Sequence, residues 1–302
     1  MSLQIGVGLP TVGRGPQLSE LGDVLAAGRL AEELGLESVW AADHLMPPAA
    51  LLDSTMSLAA VAGATQRVHL GFSVLVLALR RLAWAAKQLG TLQHLSGGRV
   101  LLGVGIGGEP NGLAGWDAAG VPFGERAHRT DAGLRALPPL LAGETVTLDH
   151  EPGSPEVRLT PSAPVPPVLI GGNGDAALRR TAAFGDAWFP SAISPHNLAT
   201  GSAKLRALAA EHGRPCPTVT VGVPAALDSD DTTHAALVER LAGGYGVPRE
   251  EAEQIPLTGT PAESAERLAE YEAAGAERVV LMSFGSDWRR HYEQAAGLAT
   301  IE

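Results

Sequence analysis

The 302-residue sequence predicts an α/β fold, a (β/α)8 TIM barrel with a small hairpin insertion before the fifth strand. Two observations carry this: a helix-to-strand joint that recurs along the chain, and eight short apolar runs that alternate with helical patterns. The joint is a helical pattern ending at glycine, with β-rich residues two or three positions later. It occurs at Ala31-Glu32-Glu33-Leu34-Gly35 before Ser38-Val39-Trp40, at Ala182-Ala183-Phe184-Gly185 before Ala187-Trp188-Phe189, and at Glu272-Ala273-Ala274-Gly275 before Arg278-Val279-Val280. Glycine ends helices because it accepts a left-handed backbone without a Cβ clash. A strand directly after it makes the αβ joint of a βαβ unit.

Strands are expected at 3–9, 37–42, 68–76, 99–104, 167–171, 186–190, 218–223 and 277–284. Most lack strict apolar–polar alternation, as parallel strands covered on both faces do. Helices are expected near 19–34, 55–65, 82–95, 125–142, 174–184, 195–212, 232–244 and 262–274. An open doubly wound sheet uses the same alternation and stays as the alternative. Two segments break the rhythm. The glycine-rich stretch 105–122 reads as a long loop after the fourth strand. Residues 143–167 hold two β-like runs, Thr145–Leu148 and Glu156–Leu159, around His150-Glu151-Pro152-Gly153, which gives the hairpin. No stretch has linker character, so residues 1–302 read as one domain.

With 45% hydrophobic and 18% charged residues, the chain has the composition of a soluble globular enzyme rather than a disordered one. A net charge of −11 argues against a nucleic-acid or membrane-surface binder, because both partners are polyanionic. The N-terminus has no signal-peptide pattern and no apolar run is long enough to span a bilayer, so a cytoplasmic protein is the default expectation. The single cysteine, Cys216, allows no internal disulfide, and the histidines show no metal-ligand spacing.

Three places can carry chemistry. Asp43-His44 follows the second expected strand directly, and residues just past a barrel strand stand at the active-site mouth. A histidine there can relay a proton and an aspartate can orient it; the bland alternative is a capping Asp beside a surface His. The run Gly171-Gly172-Asn173-Gly174-Asp175 is strand end, glycine turn and helix start. Unpaired N–H groups at a helix N-terminus bind phosphate, and glycine lets the phosphate come close. Asp175 as a simple N-cap is the competing reading. Gly103-Val104-Gly105-Ile106-Gly107-Gly108 matches a dinucleotide glycine pattern, but Glu109-Pro110-Asn111-Gly112 follows and cannot open a regular helix. Gly105 and Gly107 are therefore expected to pass close to a flat ring, with Glu109 a candidate acid.

Together these pieces resemble the luciferase-like oxidoreductases, the bacterial luciferase superfamily of flavin- and deazaflavin-dependent enzymes. The resemblance also includes Gly6-Val7-Gly8-Leu9-Pro10, Leu95-Ser96-Gly97-Gly98-Arg99, Gly120-Val121-Pro122-Phe123 and Gly185-Asp186-Ala187-Trp188-Phe189, and it runs over nearly the whole chain. It implies a homodimeric barrel enzyme using coenzyme F420 or FMN for hydride transfer, with monooxygenation open to an FMN enzyme, on a small organic substrate. It implies that Ser73-Val74, often a non-proline cis peptide in the family, backs the cofactor ring. It further implies that Gly171, Gly172, Asn173 and Gly174 contact the phosphate and that Asp43 and His44 lie beside the ring. The Asp-His-Leu form looks like the F420-using members, although FMN-using relatives can carry similar motifs. Leu45-Met46-Pro47-Pro48 replaces the tryptophan of the sugar-phosphate dehydrogenase branch, and Arg81-Leu82-Ala83 stands where relatives often have a proline. A barrel that binds a phosphorylated ligand without redox chemistry is the rival reading.

Overall fold

The computed structural model describes residues 3–13, 21–108, 112–284 and 287–299. In chain order its first half comprises β1 (Gln4–Gly8), α1 (Val24–Glu33), β2 (Ser38–Ala41), α2 (Ser54–Ala64), β3 (His69–Phe72), β4 (Leu75–Val76), α3 (Leu82–Ser96), β5 (Val100–Gly105), α4 (Ala114–Ala118) and α5 (Arg126–Leu141). There follow β6 (Val146–Thr147), β7 (Glu156–Val157), β8 (Val168–Gly171), α6 (Asp175–Phe184), β9 (Ala187–Phe189), α7 (Pro195–Glu211) and β10 (Thr218–Ala225). The chain closes with α8 (Asp231–Tyr245), α9 (Arg249–Ala252), α10 (Pro261–Ala273), β11 (Arg278–Ser283) and α11 (Trp288–Leu298).

The parallel strands run β3-β2-β1-β11-β10-β9-β8-β5, and β3 pairs with β5 to close the ring. That closure settles the choice in favour of the (β/α)8 barrel over an open sheet. The expected third strand is split: β3 and β4 lie on either side of a cis Ser73–Val74 peptide, and β4 pairs with β5 through Leu75↔Val104. The antiparallel β6–β7 hairpin sits before β8, the fifth barrel strand.

As their expected ranges imply, α8 and α10 share the crossover between β10 and β11, and the short α9 lies between them. Two features depart from the expectation. The helix after the last strand, α11, was not anticipated. Its buried face is His291, Tyr292, Ala295 and Leu298, too polar and too small to show as apolar periodicity. The stretch 105–122 is not wholly loop, because α4 buries Trp116 against Val76, Ala78 and Val121.

Two layers of apolar packing support the barrel. The larger lies between the outward faces of the strands and the helices, with Val7, Val39, Leu70, Phe72, Leu102 and Ile170 among its buried members. The smaller fills the barrel interior with Trp40, Leu101, Leu169, Ala187, Phe189 and Val280. Trp40 is its largest member, edge-on to Phe189 at 4.9 Å and donating from Nε1 to Ser38 Oγ at 2.8 Å. Its ring fits because the facing positions are glycine: a Cβ on Gly71 would lie 2.1 Å from Trp40 Cε3. Gly71→Ala is therefore expected to destabilise the fold by about 1–3 kcal/mol through overpacking. Urea unfolding would show it, and a midpoint unchanged from the parent would refute the close packing.

The end of the barrel opposite the mouth is held by buried polar groups. Arg99 donates to the carbonyls of Ala62, Thr65, Val68 and Ser96 and to Thr65 Oγ1, tying the C-terminal ends of α2 and α3 together. Helix ends leave such carbonyls without intrahelical partners. Arg278 bonds Glu37 twice, at 2.9 and 2.7 Å, joining β11 to the start of β2. At the other end of α3, on the mouth side, Glu151 from the hairpin accepts the Leu82 N–H at 2.6 Å and pairs with Arg81 at 2.8 Å. A proline at position 82 would have no N–H to donate, so this chain satisfies with a carboxylate what that residue would have removed.

Candidate active site

The C-terminal ends of the parallel strands gather Asp43-His44, Ser73-Val74, Gly105 to Gly108 and Gly171 to Gly174 at one mouth. Val74 packs against the interior cluster and is half-buried. It has room because its neighbours on β5 and β8 are glycine. A Cβ on Gly105 would come within 2.3 Å of Val74 Cγ2, and one on Gly171 within 3.0 Å of Val74 Cγ1. Gly105 and Gly171 thus act first by accommodating the Val74 side chain. Gly107, at φ 69°, lies against Trp116. Ser73 Oγ is buried and has no hydrogen-bond partner among the described residues, an orphaned hydroxyl beside the bend.

The Asp43 carboxylate, expected beside the cofactor ring, is held by four protein donors. Oδ1 accepts from Ser54 Oγ at 3.2 Å and Arg80 Nη2 at 2.7 Å; Oδ2 accepts from the Val76 N–H at 2.9 Å and Arg80 Nη1 at 2.7 Å. Those bonds tie the end of β2 to the segment carrying Val76 and Arg80 and to the start of α2. Sequence reading missed Arg80 because it lies 37 residues away, and the Arg80-Arg81 pair after the third strand was the available signal. His44 stands exposed at the rim. Partial burial of its ring still pushes the imidazole pKa below the ordinary value, outweighing the opposite pull of the Asp43 carboxylate. A neutral histidine at pH 7 can accept a proton.

At the β8–α6 turn, Gly172 has φ 123°, a conformation that L side chains rarely adopt. Its carbonyl accepts from Trp188 Nε1 at 2.8 Å. Asn173 makes two bonds with the backbone of Ser191, Nδ2 to its carbonyl at 2.9 Å and Oδ1 from its N–H at 3.1 Å. The Asn173 side chain therefore braces the turn against the loop after β9. The competing capping role for Asp175 is ruled out. Gly174 is the N-cap, no side chain caps the helix, and Asp175 pairs with Lys204 at 3.1 Å. The first turn of α6 is thus open to an anion, as the donor chemistry of such a turn favours.

A cleft beside His44 is lined by Leu45, Met46, Val76, Leu79 and Trp116, with glycines 107, 108, 112 and 115. Trp116 was not anticipated as a wall of the mouth. A groove of about 200 Å³ between α3 and α5, lined by Lys87, Gly90, His94 and Leu140, lies in the outer helical layer rather than at the mouth. Glu109, the candidate acid, falls outside the described residues. Among the described residues no group of three or more His, Cys, Asp or Glu could hold a metal ion, and no helix is long and apolar enough to cross a membrane.

The fold class is thus a (β/α)8 barrel of eight parallel strands, with a cis bend at its third strand and an uncapped helix after its fifth. The chain belongs to the luciferase-like monooxygenase family, whose sequence model matches residues 3–252. It is 36% identical over 179 residues to the F420-dependent glucose-6-phosphate dehydrogenase of Beutenbergia cavernae, covering 54% of this chain and 51% of that one. It is 28% identical over 205 residues to the 5,10-methylenetetrahydromethanopterin reductase of Methanolobus tindarius, covering 67% and 60%. The chain spans about half to three fifths of the length of these curated relatives. In fold it superposes on an F420-dependent secondary alcohol dehydrogenase with a TM-score of 0.84 at 18% identity, covering 100% of both chains. A monooxygenase from Streptomyces bottropensis gives 0.81 at 21% identity, covering 98% of each.

Proposed function

We propose that this protein is an oxidoreductase that holds coenzyme F420 or FMN across the barrel mouth, with F420 the favoured cofactor. The observation that carries the reading is the open first turn of α6, an anion site without a side-chain cap, at the same mouth as the Val74 bend. Gly172 and Gly174 would face the anionic tail with backbone N–H groups, and Val74 would support the ring from below. The orphaned Ser73 hydroxyl also fits a polar ring edge. When bound, the cofactor supplies hydride transfer, and an FMN enzyme could also activate oxygen. His44, neutral at pH 7, takes or returns the proton of a small organic substrate. The same reading has residues 1–302 working as one domain, in a cytoplasmic homodimer without a nucleic-acid partner.

Gly174→Asp tests the tail site. A Cβ there meets nothing within 4 Å, and an aspartate at the N-cap accepts the first-turn N–H groups itself. Thermal stability is expected to hold or rise, while affinity for FMN and F420 falls about 10-fold or more, the loss of a charge-assisted bond. Parent-like affinity in this variant would move the tail elsewhere.

A further inference from the structure

We propose that Arg80 is a positioning residue, whose two-pronged bond to Asp43 sets the spacing between His44 on one wall of the mouth and the Ser73–Val76 segment on the other. The inference rests on the reading above, in which those two walls flank the cofactor ring.

The ladder between β2 and β3 ends at Ala41↔Phe72. Beyond it, Ser73 N–H still donates to the Ala41 carbonyl at 2.9 Å, but the Val76 N–H finds its acceptor in a side chain, Asp43 Oδ2. The segment from Ser73 to Val76 is thus stapled to the end of β2 at both of its ends. One staple is backbone and the other is a carboxylate. A backbone acceptor is fixed by its strand, whereas a carboxylate must be held in place. Arg80 does this with both Nη groups at 2.7 Å, in a planar fork that matches the carboxylate. Ser54 Oγ adds a third constraint from the start of α2, and Arg80 lies 3.8 Å from Asp53, the N-cap of that helix. Asp43 is 5% exposed, so water does not compete effectively for these bonds. His44 follows Asp43 directly in the chain, and the stapled segment carries Val74. One ion pair therefore governs both walls.

The test compares Arg80→Lys, Arg80→Gln and the double variant Asp43→Asn/Arg80→Gln with the parent. Three quantities are read: hydrogen exchange of the Val76 amide in the protein without ligand, affinity for FMN and for coenzyme F420 by fluorescence, and melting temperature. In Arg80→Gln, Val76 exchange is expected to rise at least 10-fold and affinity for the cofactor bound by the parent to fall at least 10-fold. Arg80→Lys keeps the charge without the fork and should recover part of both. The double variant removes the unpaired buried charge, so its melting temperature should return toward the parent value while affinity stays weakened. Recovery of both stability and parent affinity in the double variant would reduce Arg80 to a purely structural role and overturn the proposal. So would parent-like Val76 exchange in Arg80→Gln. If the parent itself binds neither cofactor, the oxidoreductase reading fails, and the Val76 exchange still decides separately whether the clamp exists.

Discussion

Replacing Arg278 with methionine is expected to lower the melting temperature at pH 7 by about 5 °C, the equivalent of roughly 2–3 kcal/mol for a largely buried charge that loses one of its two partners and keeps His69. Burial opposes ionisation of Glu37, but hydrogen bonds from His69 and Arg278 and the Arg278 charge outweigh it, lowering its pKa to about 2. The side chains of Glu37 and Arg278 are 17% and 14% exposed, so solvent screens the pair little. The sign of the pH dependence follows. The depressed Glu37 pKa contributes stability that is present above the unfolded value of about 4.5 and is lost as pH falls toward 2. His69, whose pKa is raised chiefly by its bond to Glu37, adds stability below about 6.5 that fades as pH rises through its folded value. Calorimetry of parent and variant between about pH 3 and pH 7 should show the difference shrinking toward pH 3, as Glu37 protonates in the variant, where Arg278 no longer holds its pKa down, while it stays ionised in the parent. A constant difference across that range would mean that the pair is not coupled as the geometry implies.

His44→Ala is expected to lower turnover about 10²- to 10⁴-fold, the usual contribution of a positioned acid or base, with cofactor affinity within a few-fold of the parent. Where His44 acts as the base, the acid limb of the parent pH profile should lie below the ordinary imidazole value of 6.5 and should vanish in the variant. Turnover can be followed by absorbance of the reduced cofactor against a panel of small alcohols and carbonyl compounds. A variant that turns over like the parent would remove His44 from the chemistry and return it to the surface.

Much of the barrel was legible in the sequence because its strands are short apolar runs preceded by glycine joints, both of which are local signals. The mouth glycines were legible for the same reason. What stayed hidden depends on partners distant in sequence. Nothing near Asp43 announces that Arg80 and the Val76 N–H will take its carboxylate, and nothing near Asn173 announces Ser191. The Glu37–Arg278 pair spans 241 positions. Helix α11 escaped because tertiary packing buries His291 and Tyr292, residues that a hydropathy pattern reads as surface. Trp116 escaped because its glycine-rich surroundings read as loop, while contacts with Val76 and Ala78 make it a wall.

Titration of the purified protein with coenzyme F420 and with FMN, followed by fluorescence, tests the central claim most directly. Saturable binding of at least one of them, at one site per chain, is the predicted result. Binding of neither to the folded protein would contradict the oxidoreductase reading and leave only the barrel.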